Sequence, residues 1–99
     1  MTIVVTVRIA ATLQEARRAE RAEPGLYDQI IALARVHGLI SHRRVYREGE
    51  IMDIDEWKSE EARTAFRAEA GPLIERMRAA RGSAPSSSET WHPYPHEPG

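Results

Sequence analysis

Hydrophobic and polar residues alternate along two neighbouring stretches of the chain, Leu39–Arg47 and Glu50–Trp57. A period of two is typical of β-strands, because successive side chains point to opposite faces of a sheet. The short connection Glu48-Gly49 contains glycine and predicts a β-hairpin. One face of this hairpin is expected to be rich in polar and aromatic side chains: Ile40, His42, Arg44, Tyr46, Ile51, Asp53, Asp55 and Trp57.

A strand and a helical region are predicted before the hairpin. Residues 2–10 alternate between apolar and mixed positions, as in a strand with one buried face. Thr12 and Glu15 have the spacing of a capping box, which begins a helix. Pro24-Gly25 favours a break into two helices over one kinked helix, with Pro24 opening the second. Gly38 is the expected C-terminal cap.

A longer helix is predicted after the hairpin. Ser59 is its expected N-cap and Gly82 its end, while Gly71-Pro72 predicts a kink or break inside it. An apolar stripe at helical spacing supports the assignment: Ala62, Phe66, Ala70, Leu73, Ile74 and Met77. Residues 83–88 are then read as a polar linker, Glu89–Tyr94 as a last strand, and residues 95–99 as a loose tail.

The order of these elements predicts one α+β domain over residues 1–99 with the ferredoxin-like βαββαβ arrangement and an antiparallel sheet. Helices cover only one face of such a sheet. The other face would expose an apolar patch, expected to include Val4, Ile40, Tyr46, Ile51 and Trp57, and a second copy of the chain is the expected cover. The chain is therefore expected to be a homodimer.

Composition excludes several classes of function. The 99 residues carry a formal net charge of −1, with arginines interleaved among glutamates, so neither a nucleic acid nor a membrane is an expected partner. The chain has no cysteine and therefore no disulfide, thiolate nucleophile or cysteine–zinc site. The N-terminal sequence does not have the pattern of a signal peptide, and a cytoplasmic location is expected.

Three features resemble the dimeric α/β-barrel proteins, particularly those related to antibiotic biosynthesis monooxygenases. The hairpin ends in Asp55-Glu56-Trp57, a Ser-Glu-Glu-Ala helix start follows at Ser59–Ala62, and Phe66 lies deeper in that helix. The resemblance covers nearly the whole chain and implies a dimeric barrel. It implies function only weakly, because this fold supports monooxygenases, haem-degrading enzymes, cyclases and isomerases.

The chain departs from its relatives in ways that bear on chemistry. Cofactor-free quinone-forming monooxygenases of this group use asparagine and tryptophan, and often arginine. Trp57 stands at the tryptophan position, but the chain contains no asparagine. Haem-degrading relatives use a histidine of the second helix, and residues 59–81 contain none. Polyketide cyclases and dehydratases of this fold use His, Tyr, Asp and Arg, which are all present.

His42 is the strongest catalytic candidate, since imidazole exchanges protons near neutral pH. Asp53 or Asp55 on the neighbouring strand would orient it, and Tyr46 would donate a proton. The alternative for His42 is an ordinary strand histidine in a polar network. Asp53 is slightly favoured as a structural ion-pair partner of an arginine.

The expected substrate-binding residues lie around the same strands, and Arg8 is expected to share one face with Arg44, Asp53 and Asp55. Arg8 or Arg44 would hold a phenolate, enolate or carboxylate, while Trp57 would provide a flat aromatic wall. Thr6 and Phe66 complete the predicted set. Packing in the core would by itself also explain the aromatic residues Trp57 and Phe66. No cofactor and no metal are expected: His92 and His96 have i, i+4 spacing, but Pro93 and Pro95 prevent the helix that would unite them.

The sequence thus favours a small cofactor-independent monooxygenase-like enzyme acting on an aromatic or polyketide-type molecule. Two alternatives remain open. One is an acid–base cyclase, dehydratase or isomerase of the same fold, and the other is a non-catalytic ligand-binding accessory protein.

Overall fold

The computed structural model describes residues 1–95, so most of the predicted tail, including His96, lies outside the described residues. The chain forms four strands and three helices. In chain order they are β1 (Ile3–Ile9), α1 (Leu13–Ala22), α2 (Leu26–Val36), β2 (Leu39–Arg47), β3 (Glu50–Trp57), α3 (Glu60–Arg81) and β4 (Ser87–Trp91). The sheet order is β2-β3-β1-β4, and all neighbours are antiparallel. The predicted ferredoxin-like architecture is confirmed, with the first helical region divided in two.

Local sequence signals account for most element boundaries. Thr12 and Glu15 form the complete capping box at the start of α1, and the Ser59 hydroxyl accepts a hydrogen bond from the Ala62 backbone N–H at the start of α3. Gly49 lies between β2 and β3 with φ of 75°, a conformation that favours glycine. The hairpin boundaries predicted from alternation are those of the structure.

The two proline signals had different outcomes. The predicted break before α2 is confirmed, but α2 begins at Leu26 with Gly25 as its N-cap, so Pro24 precedes the helix. At the second site α3 runs without a break through Pro72, on a side of the helix that faces solvent. Packing of α3 against the sheet and the other helices outweighs the backbone hydrogen bond that proline removes.

The end of the chain also differs from its prediction. Strand β4 begins at Ser87, two residues inside the predicted linker, and ends at Trp91 rather than Tyr94. Pairing with β1 decides these bounds, because Ser87 aligns with Arg8 and Trp91 with Val4. A serine-rich run has low intrinsic β propensity, so sequence alone favoured a linker.

One face of the sheet packs under the helices and contains the core. Ile3, Val5 and Ile9 of β1 are buried there, together with Leu39, Ile51 and Trp57 of the hairpin and Phe66 of α3. The expectation that Ile51 and Trp57 lie on the uncovered face is therefore wrong. A register irregularity between Leu39 and Ser41 places both Leu39 and His42 on the covered face, although strict alternation separates them.

The opposite face of the sheet has no helices over it. Its positions follow from the strand register: Val4, Thr6, Arg8, Ser41, Arg43, Val45, Met52, Ile54, Glu56, Glu89 and Trp91. We call this the open face. Trp91 is 53% exposed at its edge. Among residues 1–95, no helix combines the length and the apolar character that a bilayer crossing requires.

Candidate active site

A cavity of about 330 Å³ lies between the covered sheet face and the helices. Its volume is at the lower end of the range for small-molecule sites. The sheet contributes Val7, His42, Arg44, Asp53, Asp55 and Trp57, and the helices contribute Tyr27, Ile30, Phe66, Ile74, Met77 and Arg81, among others. The site is thus apolar over much of its wall. Polar groups reach it from β2 and β3, and others line it from α3 and the β4 region: Arg63, Arg67, Glu75, Ser86 and Ser88.

Three polar side chains form a hydrogen-bonded chain along one wall of the cavity. His42 and Asp55 face each other across the β2–β3 pair, and the His42 Nδ1 to Asp55 Oδ1 distance is 2.6 Å. The other ring nitrogen, Nε2, is hydrogen-bonded to the Tyr27 hydroxyl of α2. We call this chain the Tyr27–His42–Asp55 relay. Both ionisable strand residues are only slightly exposed, so water competes little for these bonds.

The chemistry of the three groups fixes the direction of the hydrogen bonds. An ionised carboxylate can only accept, so His42 donates its Nδ1–H to Asp55. A neutral imidazole then presents Nε2 as an acceptor, and the Tyr27 hydroxyl donates to it. The phenolic oxygen of Tyr27 keeps lone pairs that can accept a hydrogen bond from a ligand. The relay is therefore arranged to remove a proton from a ligand group next to Tyr27.

Arg44 and Asp53 form a second pair beside the relay. Arg44 Nε donates to Asp53 Oδ1 at 2.6 Å and Nη2 donates to Oδ2 at 2.9 Å, a bidentate ion pair across the same two strands. Burial lowers the pKa of Arg44, but the hydrogen bonds and charge of Asp53 more than offset it and raise the pKa overall. The structural pairing predicted for Asp53 is confirmed.

The guanidinium of Arg44 also stacks on Tyr27. Its central carbon lies 4.5 Å from the centre of the Tyr27 ring, in the geometry of a cation–π interaction. Burial raises the pKa of the Tyr27 phenol, while the nearby Arg44 charge acts in the opposite direction. Tyr27 is therefore a neutral phenol at neutral pH, with a cation placed against its ring.

Trp57 and Phe66 form an aromatic wall of the cavity, with ring centres 5.1 Å apart. Trp57 is 3% exposed, and its indole N–H has no hydrogen-bond partner within residues 1–95. A buried donor without an acceptor is destabilising. The nitrogen has almost no accessible surface, so Trp57 meets the cavity through its ring and not through this N–H. Both residues belong to the predicted substrate-binding set, and both line the cavity.

Three of the predicted site residues lie elsewhere. Thr6 and Arg8 are on the open face, where the Trp91 indole N–H donates to Thr6 at 3.2 Å and Arg8 pairs with Glu50 at 2.8 Å. The prediction that Arg8 shares a face with Arg44 is wrong, because Arg8 aligns with Met52 rather than with Asp53. Tyr46 is 62% exposed near the hairpin end and does not line the cavity.

Several polar groups that line the cavity are not identified by local sequence pattern, among them Tyr27 and Arg81. Each lies on a helix, and its place at the cavity depends on how that helix packs against the sheet. The one available signal for Tyr27 was its hydroxyl, because a buried tyrosine usually finds a hydrogen-bond partner.

Metal ligation finds no support among residues 1–95, where no group of three or more His, Asp or Glu side chains is placed to share an ion. His92 lies at the exposed end of the chain, just after β4. The polar groups of the cavity bond instead to one another, in the relay and in the Arg44–Asp53 pair.

No protein-family model matches the chain, and no curated protein matches it. Solved structures match over nearly the whole length. Rv0793 from Mycobacterium tuberculosis is 24% identical, with a TM-score of 0.66 over 97% of this chain and 98% of that one. A mutant of SnoaB, a cofactor-independent oxygenase from Streptomyces nogalater, is 15% identical, with a TM-score of 0.68 over 99% and 98%.

A structure described as an antibiotic biosynthesis monooxygenase is 13% identical, with a TM-score of 0.70 over 94% of this chain and 99% of that one. The structural neighbours are thus antibiotic biosynthesis monooxygenase-like proteins of the dimeric α/β-barrel superfamily. At these identities the likeness establishes the fold, and function rests on the site itself.

Proposed function

We propose that the protein is a cofactor-independent monooxygenase-like enzyme that deprotonates the hydroxyl of a phenol or enol of aromatic, polyketide type. The observation that carries this proposal is the Tyr27–His42–Asp55 relay at the wall of a largely apolar cavity. A fixed base and an aromatic wall are what deprotonation of a flat, weakly acidic substrate requires.

Proton removal proceeds in one concerted step. The substrate O–H donates its proton to the Tyr27 oxygen as Tyr27 passes its own proton to His42 Nε2. The products are a substrate anion, a neutral Tyr27 and a His42 imidazolium that the Asp55 carboxylate stabilises. The raised pKa of Tyr27 suits this role, because the residue carries protons without remaining ionised.

Arg44 stabilises charge during this step. Its cation lies against the Tyr27 ring and stabilises negative charge as it develops on the phenolic oxygen. Trp57 and Phe66 supply the aromatic wall against which a flat substrate stacks. The chain has no asparagine, so the proposal assigns no amide donor to the substrate oxygen.

Oxygenation follows from the anion if O₂ is the second substrate. An activated CH₂ carbon between aromatic rings gives four electrons to O₂. One oxygen atom becomes the carbonyl oxygen of a quinone, and the other leaves as water with the two hydrogens. The reaction CH₂ + O₂ → C=O + H₂O is balanced and needs no other oxidant. SnoaB, with the same fold, is described as a cofactor-independent oxygenase.

The same relay also favours a second candidate function, acid–base cyclisation or dehydration. An imidazolium formed at His42 can return its proton through Tyr27 to a leaving hydroxyl of the substrate, which is the second step of a dehydration. Consumption of O₂ distinguishes the two reactions, because cyclisation and dehydration do not change the oxidation state of the substrate as a whole.

The test is turnover of a panel of hydroxylated anthrones and linear polyketide analogues, followed in parallel by an oxygen electrode and by mass of the product. Tyr27→Phe keeps the stacking ring but removes the hydroxyl, and it should lower turnover by about 10²–10⁴-fold. His42→Ala should lower it to a similar extent. Tyr94→Phe removes a hydroxyl from an 88% exposed tyrosine and should leave turnover unchanged.

The outcomes separate the candidates. Quinone formation with one O₂ consumed per substrate supports the monooxygenase, and product formation without O₂ uptake supports the cyclase. Turnover that survives in both Tyr27→Phe and His42→Ala with wild-type rates would show that the relay is structural.

A further inference from the structure

Arg81 is a buried cation at the end of α3, on the wall of the same cavity. It is 7% exposed, and the side-chain hydrogen bond that it forms is from Nε to the Ser83 hydroxyl at 3.3 Å. No carboxylate within residues 1–95 forms an ion pair with it, whereas Arg44 has a bidentate one. The terminal nitrogens of Arg81 are not among the fully buried polar atoms that lack a partner, so they are accessible from the cavity. A largely buried guanidinium without a counter-ion is unfavourable unless an anion or water compensates its charge.

The surrounding groups leave a positive charge unbalanced. Asp53 is committed to Arg44 by two hydrogen bonds and acts on Arg81 only through its charge. Arg78, one turn earlier in the helix, pairs with Glu75. Burial lowers the pKa of Arg81, and the charges of Arg44 and Arg78 lower it further. Arginine stays protonated nevertheless, so the cation remains.

We propose that Arg81 is the binding site for a carboxylate on the substrate, so that the enzyme acts on aromatic or polyketide-type carboxylic acids. A carboxylate matches the planar fork of a guanidinium, whose two terminal nitrogens carry no protein partner among the described residues. The anion would neutralise the buried charge that the fold leaves uncompensated. This assignment rests on the proposed function, because it names the substrate class of that site.

The cavity then recognises the two ends of one molecule. Arg44 contacts the relay through the Tyr27 ring, and the Arg44–Asp53 pair follows the His42–Asp55 pair along the same two strands. The charges of Arg44 and Asp53 also act on Arg81. Apolar side chains such as Ile74 and Met77 line the same space. A flat acid bound through its carboxylate at Arg81 presents its far ring to Tyr27.

Calorimetric titration of the full chain tests this assignment without any turnover assay. The probes are benzoate, 2-naphthoate and anthracene-2-carboxylate, each compared with its neutral amide. At least one acid should bind wild-type protein about 10-fold to 100-fold more tightly than its amide, the range expected for hydrogen bonds to a charged group. Equal binding of every acid and amide, or no binding of any acid at millimolar concentration, would overturn the assignment.

Variants of Arg81 locate the effect. Arg81→Gln should remove the preference for the acid while keeping the affinity for the amide. Retained affinity for the amide shows that the variant is folded, because a misfolded protein would bind neither probe. Arg81→Lys keeps the charge and should retain part of the preference, so it answers the question if the glutamine variant does not fold. Arg76→Gln, an exposed arginine of the same helix outside the cavity, is the matched control. An undiminished acid preference in Arg81→Gln, or in Arg81→Lys if the glutamine variant does not fold, contradicts the proposal.

These results are separable from those for the relay. Tyr27→Phe should leave the acid preference intact, since Arg81 makes no contact with the relay. If that variant loses turnover but retains the preference, both assignments hold. If the preference fails while the relay variants still lose turnover, the substrate is not a carboxylic acid, and the proposed proton transfer stands.

Discussion

Tyr27 illustrates how one side chain connects a helix to the chemistry of the sheet. Its hydroxyl bonds to His42, its ring supports the Arg44 guanidinium, and it lines the cavity. The strand partners of this network follow from the hairpin register, which aligns His42 with Asp55 and Arg44 with Asp53. The sequence therefore predicted both strand pairs as neighbours, whereas the contribution of α2 depends on how that helix packs.

The raised pKa of Tyr27 makes stability depend on alkaline pH. The fold favours the neutral phenol of Tyr27. Its contribution to the free energy of unfolding is therefore fully present below the unfolded-state pKa of about 10, and it is lost as the pH rises through the higher pKa of the folded state. Urea unfolding at several pH values from 8 to about 11 should show wild-type stability falling more steeply than that of Tyr27→Phe. Parallel curves for the two proteins would mean that Tyr27 is not shielded from solvent.

At the scale of elements, helix α3 is held more by packing than by its own sequence. Gly71 and Pro72 lie in its interior and disfavour a helix, yet Phe66, Ala70 and Met77 on its buried side continue across them without interruption. The apolar stripe was the reliable signal, since burial of several side chains outweighs the cost of two unfavourable residues.

Two glycine substitutions separate backbone conformation from steric space in this helix. Neither Gly71 nor Gly82 has an atom within 4 Å of an added Cβ, but Gly82 has φ of 69° and Gly71 is helical. Gly71→Ala should raise the free energy of unfolding by about 0.5–1 kcal/mol. Gly82→Ala should lower it by about 1 kcal/mol, because the left-handed conformation is strained for alanine. Chemical denaturation measures both, and changes of the same sign would contradict this account.

At the scale of the whole molecule, the open face is the feature that a single chain leaves unexplained. Val45, Met52, Ile54 and Val4 form its apolar centre, with Trp91 at one edge and charged side chains such as Arg8 around them. An uncovered sheet face of this kind favours association with a second copy of the chain. We expect two chains to pack through their open faces.

Light scattering should accordingly give about twice the chain mass of 11.2 kDa. Ile54→Lys places a charge at the centre of the open face and should shift the protein toward the monomer, with the helices and the cavity retained. Val36→Lys, at an 81% exposed position of α2 away from the sheet, should remain dimeric. A monomeric wild type at micromolar concentration would exclude the barrel assembly.

The sequence by itself determined the order of elements, the hairpin, the caps and the closeness of His42 to Asp55, because these depend on local periodicity and on the pairing of adjacent strands. Tertiary structure decided which sheet face the helices cover, since a single irregularity between Leu39 and Ser41 changes how alternation maps onto faces. It also decided the outward position of Arg8 and Thr6 and the arrival of Tyr27 and Arg81 at the cavity. These placements depend on how helices dock onto the sheet, which no local pattern encodes.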